Sequence, residues 1–99
     1  MTLKAFFPNQ GGAVSISAST SSANTAITVG QRSLYLANAS DVVIFVKVGV
    51  GTQTATSADF PLLPNAAEVI SIRPEHDNVA ALAQSGSTKI LYACPGAGS

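Results

Sequence analysis

Apolar and polar residues alternate with a period of two along much of the chain. The clearest cases are the segments 14–18, 32–38, 68–73 and 88–94, and a shorter one surrounds Ile27 and Val29. A period of two is typical of a strand that has one face in a core and the other in water. No segment carries a helical period over ten residues, so the chain is predicted to be built from strands.

The segments between the strands have the composition of turns. Asn38-Ala39-Ser40-Asp41 is one example, because Asn, Ser and Asp side chains can hydrogen-bond their own backbone. Residues 78–84 include helix-favouring alanines, but seven residues between a charged turn and a glycine fit a strand better. We therefore predict an all-β, single-domain antiparallel β-sandwich or jelly-roll-like barrel of about seven to eight short strands.

The stretch DVVIFVKVG, residues 41–49, departs from strict alternation, because six of its nine residues are large and apolar. The side chains predicted to face the core are those of Val42, Ile44, Val46 and Val48. Those on the opposite face, which form the candidate interface, are Val43, Phe45 and Lys47. A loop or the N-terminal segment of the same chain could cover this face, and so could a second subunit.

The same alternation predicts which side chains share the core. The predicted set is Ile44, Val46, Ile70, Ile72, Ile90 and Tyr92.

Charged residues are scarce and balanced. They make up 10% of the 99 residues, against 46% hydrophobic residues, and the formal net charge is zero. Globular domains carry about 25% charged residues, so this surface suits contact with partners. The five cations are scattered along the sequence, which argues against nucleic-acid binding because that requires clustered cations.

The two ends of the predicted domain, residues 1–99, differ from its middle. Residues 15–28 are rich in Ser, Thr and Ala, so residues 1–28 could be an extended arm or could contribute an edge strand. Residues 95–99 are predicted to be a frayed tail. The start has no apolar region typical of a signal peptide, and no run is long enough to cross a bilayer, so synthesis in the cytoplasm is expected.

Candidate catalytic and metal-binding groups are few. Cys94 is the single cysteine, so neither an internal disulfide nor a CxxC motif is possible. Glu75-His76-Asp77 is interpreted as a solvated turn, since three consecutive residues cannot all face one metal from a regular element. Gly49-Val50-Gly51-Thr52 lacks the Lys-Ser/Thr of a phosphate-binding loop and is predicted to be a loop entry. We predict no catalytic residues, no cofactor and no metal, and no enzymatic activity.

An ordered set of segments across residues 32–98 carries a family resemblance. These segments are RxLYLxN, VVIFVKVG, TATxxDFPLLP, EVISIRP, VAALA and SGSTKILYAxPG. Their succession resembles that of small virion proteins of tailed bacteriophages, namely capsid decoration or accessory proteins with a short β-domain.

This resemblance implies a structural role in a virion. The expected function is stabilisation of the capsid, or of a head–tail attachment point, through subunit contacts. The expected partners are copies of the chain itself, with a trimer favoured, and other virion proteins such as the major capsid protein, with neither nucleic acid nor membrane. The alternative from another class is a carbohydrate- or receptor-binding module at a phage tail or fibre.

Overall fold

The computed structural model describes residues 7–8 and 12–97, with side chains from residue 12 to residue 96. The strands of this part of the chain are β1 (Phe7–Pro8), β2 (Val14–Ala18), β3 (Ala23–Ala26), β4 (Ser33–Asn38), β5 (Ile44–Gly49), β6 (Phe60–Leu62), β7 (Ala67–Ser71), β8 (Asn78–Ala83) and β9 (Lys89–Ala97). No helix is present among the described residues, and so none that could cross a membrane.

The strands form two antiparallel sheets that pack face to face. In sheet A the order is β2-β9-β4-β7, with the short β1 beside β2 on the same edge of β9. In sheet B the order is β3-β8-β5-β6. From β2 to β9, the chain crosses to the other sheet at every connection except the one between β5 and β6. This is the connectivity of a jelly roll. The predicted all-β sandwich is confirmed.

One hydrophobic core lies between the sheets. Its buried members are Ile16, Ala18, Ile27, Leu34, Leu36, Ile44, Val46, Leu62, Ile72, Val79, Ala81, Ala83, Leu91 and Ala93. Burying a large aliphatic side chain contributes about 1.5–3 kcal/mol, so this set supplies the main stabilisation of the sandwich.

The predicted core is right for β5 and for the segment of β7, and it is wrong for β9. Ile44, Val46 and Ile72 are buried, and Ile70 packs against the same cluster. In contrast, Tyr92 is 50% exposed and Ile90 is half-buried outside the cluster.

The correction in β9 is a shift by one residue. Leu91 and Ala93 face the core there, because Leu91 pairs with Ile16 and Ala93 pairs with Leu36, and both partners point inward. In KILYAC, residues 89–94, alternation allows either Ile90 and Tyr92 or Leu91 and Ala93 to face the core. The larger side chains of Ile90 and Tyr92 favoured the first pair, which is the wrong one. The small Ala93 fits opposite Leu36, whereas Tyr92 keeps its hydroxyl near water.

Other parts of the chain also differ from expectation. The strand expected around Ile27 and Val29 lies earlier, at β3, and Val29 is 56% exposed. Within the low-complexity segment 15–28, residues 15–18 belong to β2 and residues 23–26 to β3. The frayed tail expected from residue 95 is wrong for residues 95–97, because they continue β9 beside β4 and β1.

Candidate functional site

The outer face of sheet A is a continuous surface without any charged side chain. Side chains alternate between the two faces of a strand, so this face is set by the residues next to the buried ones. Its members are Ser15, Ser17, Tyr35, Ala37, Ala67, Val69, Ser71, Ile90, Tyr92 and Cys94, while Ser33, which has the same phase at the start of β4, is buried with 2% exposure. We call this surface the tyrosine face.

Large side chains at the centre of the tyrosine face are exposed. The exposed fractions are 50% for Tyr92, 38% for Tyr35 and 36% for Val69. Tyr35 lies opposite Val69 on β7 and opposite Cys94 on β9. Tyr92 stands two residues from Cys94, at a diagonal position about 7–8 Å from Tyr35, which aromatic side chains can bridge. The face therefore offers adjacent aromatic surface with hydroxyl groups, a composition that is enriched in protein interfaces.

Cys94 lies in this face as a half-buried free thiol. Its Sγ is 3.7 Å from the carbonyl oxygen of Pro95, the next residue. Within the sheet, Cys94 lies directly opposite Tyr35 on β4 and two residues after Tyr92 on β9, so the thiol neighbours both tyrosines.

The candidate interface Val43, Phe45 and Lys47 lies on the opposite side of the molecule. Val43 and Phe45 are half-buried and Lys47 is exposed. Phe45 is opposite Leu82 on β8 and Pro61 on β6, so an apolar row crosses the outer face of sheet B.

A loop of the same chain, residues 50–59, lies over part of this outer face. Ala55 is 3% exposed and Ala80 is fully buried, yet neither belongs to the core cluster between the sheets. The loop leaves β5 at Gly49, reaches the far edge of the sheet at β3, and returns to β6 on the other edge. It therefore covers the second face of β5 in part, while the prediction of a subunit contact at Val43, Phe45 and Lys47 stays a prediction.

Hydrogen bonds attach the first half of this loop, residues 51–55, to the segments that precede and include β3 and to the residue directly before β8. The Gln53 N–H donates to Asn24 Oδ1 (2.9 Å), and the Ala55 N–H donates to Ser22 Oγ (2.8 Å). Asp77 Oδ1 accepts from the Gly51 N–H (2.9 Å) and from the Asn78 amide (2.7 Å). The Gly51 N–H first, and then the Asn78 amide, hold the pKa of Asp77 below its usual value.

The segment Glu75-His76-Asp77 belongs to a turn. The His76 N–H donates to the Arg73 carbonyl oxygen, and His76 Nδ1 accepts from the Arg73 N–H. In the described part of the chain, no group of three or more His, Cys, Asp or Glu side chains is placed to hold a metal.

A hollow of about 370 Å³ lies at one end of the sandwich, open to solvent. It is lined by Ala39, Ser40, Asp41, Asn65, Thr88, Lys89 and Ile90. Lys89 Nζ is 2.9 Å from Asp41 Oδ1, and this contact lowers the pKa of Asp41. The two charges of the hollow thus neutralise each other, and the ion pair is exposed enough to contribute little stability.

Sequence reasoning missed the tyrosine face, although its members were visible as the polar phase of the alternating strands. Tyr35 and Ala37 were correctly placed opposite Leu34 and Leu36, but Tyr92 was assigned to the core. With Tyr92 assigned to the core, the outward residues of these strands are mainly serines and alanines, a composition typical of a solvent-exposed face. The tyrosine face can be recognised only from the pairing of Tyr35 with β9, and a single sequence does not show which strands pair.

Comparison with known proteins supports the fold and corrects the expected function. No family model matches the chain, and no curated protein sequence matches it. A solved structure of a subunit from Bacillus endospore appendages, described as disulfide-linked pili, is similar with a TM-score of 0.62 and 15% identity over 96% of this chain and 88% of that one. At this identity, the likeness shows the shared β-sandwich fold alone.

The function expected from the sequence is wrong. A structural virion protein of a tailed bacteriophage was expected, with a carbohydrate- or receptor-binding module at a phage tail as the alternative. The similar structure belongs to a bacterial spore appendage, and nothing in the comparisons is a phage protein. The resemblance to phage virion segments across residues 32–98 stays a prediction, as does the trimer.

Proposed function

We propose that this protein is a structural subunit that associates with copies of itself into an appendage-like assembly. The observation that carries the proposal is the tyrosine face, an uncharged sheet surface that exposes Tyr35, Val69 and Tyr92 together. Exposed contiguous apolar surface on a small soluble domain marks an interaction site. The pilus subunit with the same fold supports an assembly role.

The low charge of the chain is consistent with self-association. Two copies that each carry zero net charge repel each other little, so close packing of like faces has no large electrostatic barrier. A stable contact between two proteins buries about 800 Å² on each partner.

A charge placed on the tyrosine face tests the proposal. Tyr92→Asp should abolish concentration-dependent association in sedimentation velocity, because an unpaired carboxylate would be buried in the contact. Val50→Asp is the matched control, since Val50 is 61% exposed in the loop on the other side of the molecule. If both variants associate as the wild type does, the tyrosine face is not the contact surface.

Cys94 gives the same experiment a second readout. The similar pili are disulfide-linked, and a chain with one cysteine can form at most one such bond with a neighbour. Under oxidising conditions, a Cys94-dependent dimer on a non-reducing gel that Cys94→Ser removes would place this thiol at the contact. A thiol that stays unpaired in assembled protein would indicate a wholly non-covalent contact.

A further inference from the structure

The edges of the two sheets are protected to different degrees. In sheet B, the edge strand β6 has three residues with Pro61 at its centre, which lacks an N–H. The other edge, β3, carries the loop hydrogen bonds at Ser22 and Asn24. Prolines, short strands and covering loops are devices that prevent edge-to-edge pairing.

On sheet A, the short β1 carries Pro8 at one end of the β2 edge, but β2 and β7 themselves have none of these devices in the described part of the chain. Both β2 and β7 have five residues, VSISA and AEVIS, with neither proline nor a cation. Glu68 is the single charge on them. Long edges of this composition are templates for pairing with another strand.

The backbone groups that face outward on β7 follow from two hydrogen bonds. The Ile72 N–H donates to the Arg32 carbonyl oxygen (2.9 Å), and the Asn38 N–H donates to the Ala66 carbonyl oxygen (2.9 Å). Residues 66, 68, 70 and 72 therefore turn their backbone groups toward β4. Because these directions alternate along a strand, Ala67, Val69 and Ser71 direct theirs to the open side.

The same reasoning applies to β2. The Ala39 N–H donates to the Ile90 carbonyl oxygen (3.0 Å), so even-numbered residues of β9 face β4 and odd-numbered ones face β2. Leu91 is paired with Ile16, which places the backbone groups of Ile16 toward β9. Ser15 and Ser17 consequently direct theirs to the open side of β2.

The two open edges match in direction and in face. All neighbouring strands of sheet A are antiparallel, so with four strands across the sheet β2 and β7 run in opposite directions. A translated second copy would place its β2 antiparallel to β7 of the first. The residues that would then hydrogen-bond, Val69 with Ser15 or Ser17, all carry their side chains on the tyrosine face, so that face would continue across the junction.

We propose that copies of the chain join head to tail, with β7 of one copy pairing with β2 of the next so that sheet A and its tyrosine face continue from copy to copy. This inference rests on the proposed self-association and adds a second contact to it, because pairing of the sheet edges leaves the tyrosine face exposed along the row for packing against other copies. The contact is heterologous, since two different edges meet, and it leaves one open edge at each end of the assembly.

Proline substitutions at the open positions test the junction. Val69→Pro and Ser17→Pro each remove an outward N–H that no strand of the sandwich uses, a position where edge strands tolerate proline. The matched controls Val69→Ala and Ser17→Ala keep the N–H. Circular dichroism establishes that each variant is folded, and sedimentation velocity gives its mass.

Head-to-tail pairing predicts a distinctive result on mixing. Each proline variant alone should lose the growth of the head-to-tail row, while an equimolar mixture should form one β7–β2 junction for each pair of copies, because Ser17→Pro retains β7 and Val69→Pro retains β2. Both alanine controls should assemble like the wild type. If a proline variant fails to fold, Val69→Lys and Ser17→Lys block the same edges by charge and enter the same mixing experiment.

Other results would overturn the inference and separate it from the proposed function. A Ser17→Pro protein that forms larger assemblies than Val69→Pro does would indicate a closed β7–β7 contact. Assembly of both proline variants to the wild-type mass, with loss of assembly in Tyr92→Asp, would mean that the tyrosine face associates without the edges. A wild type that is monomeric at every concentration would overturn both proposals.

Discussion

A single buried side chain, Asn38, organises one end of the sandwich. It is 2% exposed at the end of β4. Its Nδ2 lies within 2.8–3.1 Å of the carbonyl oxygens of Val42, Leu62 and Leu63, and its Oδ1 accepts from the N–H and hydroxyl of Ser40. One side chain thereby connects the β4–β5 turn to the connection between β6 and β7.

Removing the Asn38 amide should destabilise the fold more than its size suggests. Asn38→Ala removes three hydrogen bonds to carbonyl oxygens, of which the bond to Leu62 is buried, and each lost hydrogen bond costs about 0.5–1.5 kcal/mol. Urea denaturation monitored by circular dichroism measures the loss of unfolding free energy.

Ser40→Ala is the control for this experiment, because it removes the Ser40 hydroxyl and leaves the three carbonyl contacts intact. Its loss should be smaller than that of Asn38→Ala. Equal losses would show that the Asn38–Ser40 contact, and not the link to residues 62 and 63, stabilises this end.

At the level of strands, β9 gives a direct test of the corrected register. Leu91→Ala should lower the unfolding free energy by about 2–5 kcal/mol, since Leu91 is fully buried. Tyr92→Ala, one position later, removes a larger side chain from the surface and should have a much smaller effect. Thermal and urea unfolding of the two variants decide the register, and the reverse order would restore the assignment of Tyr92 to the core.

The attachment of the loop 50–59 should depend on pH. The pKa of Asp77 is lower in the folded chain than in the unfolded one, so its contribution is complete above the unfolded value and is lost as the pH falls through the folded value. Wild-type protein should therefore lose melting temperature as the pH falls below about 4, in part through this group.

Asp77→Asn isolates this contribution. The variant should show a shallower fall in melting temperature across the same range, and Asp41→Asn serves for comparison because the pKa of Asp41 is lowered by Lys89 instead. An unchanged slope in Asp77→Asn would mean that the loop is held by its bonds to Ser22 and Asn24.

The strands of this fold could be predicted from sequence because alternation is a local property. β2, β4, β7 and β9 coincide with the periodic segments, and Ile44, Val46 and Ile72 face inward as expected. Local alternation cannot choose between Leu91 and Tyr92, since both phases of β9 contain apolar residues. The path of loop 50–59 depends on contacts with Ser22 and Asn24, which are distant in sequence, and no local pattern encodes them.

For the whole molecule, the structure distinguishes two broad faces. Loop 50–59 lies over part of the outer face of sheet B, while the tyrosine face of sheet A has no such cover among the described residues. The alternation of residues 41–49 predicted a candidate interface on the first of these faces, because it places Phe45 on the face of the strand opposite Ile44 and Val46. Exposed side chains identify the second, and this could be seen only after the register of β9 was known.

A pair of charge substitutions compares the two faces in one experiment. Phe45→Asp should lower the melting temperature of the single chain, because Phe45 is half-buried beside Leu82 and Pro61, and an unpaired charge in apolar surroundings costs on the order of several kcal/mol. Tyr92→Asp should remain folded at nearly the wild-type melting temperature and lose self-association. A Phe45→Asp protein that melts like the wild type but no longer associates would instead place a subunit at Val43, Phe45 and Lys47.

The four-stranded width of sheet A would set the helical symmetry of the proposed head-to-tail fibre. Adjacent strands are about 4.8 Å apart and rotated by roughly 20–25°, so each copy would advance the sheet by about 19 Å and turn it by roughly 80–100°. A head-to-tail fibre would then contain about four copies per turn with a pitch on the order of 80 Å. These values would appear as layer lines in electron micrographs of the assembled protein.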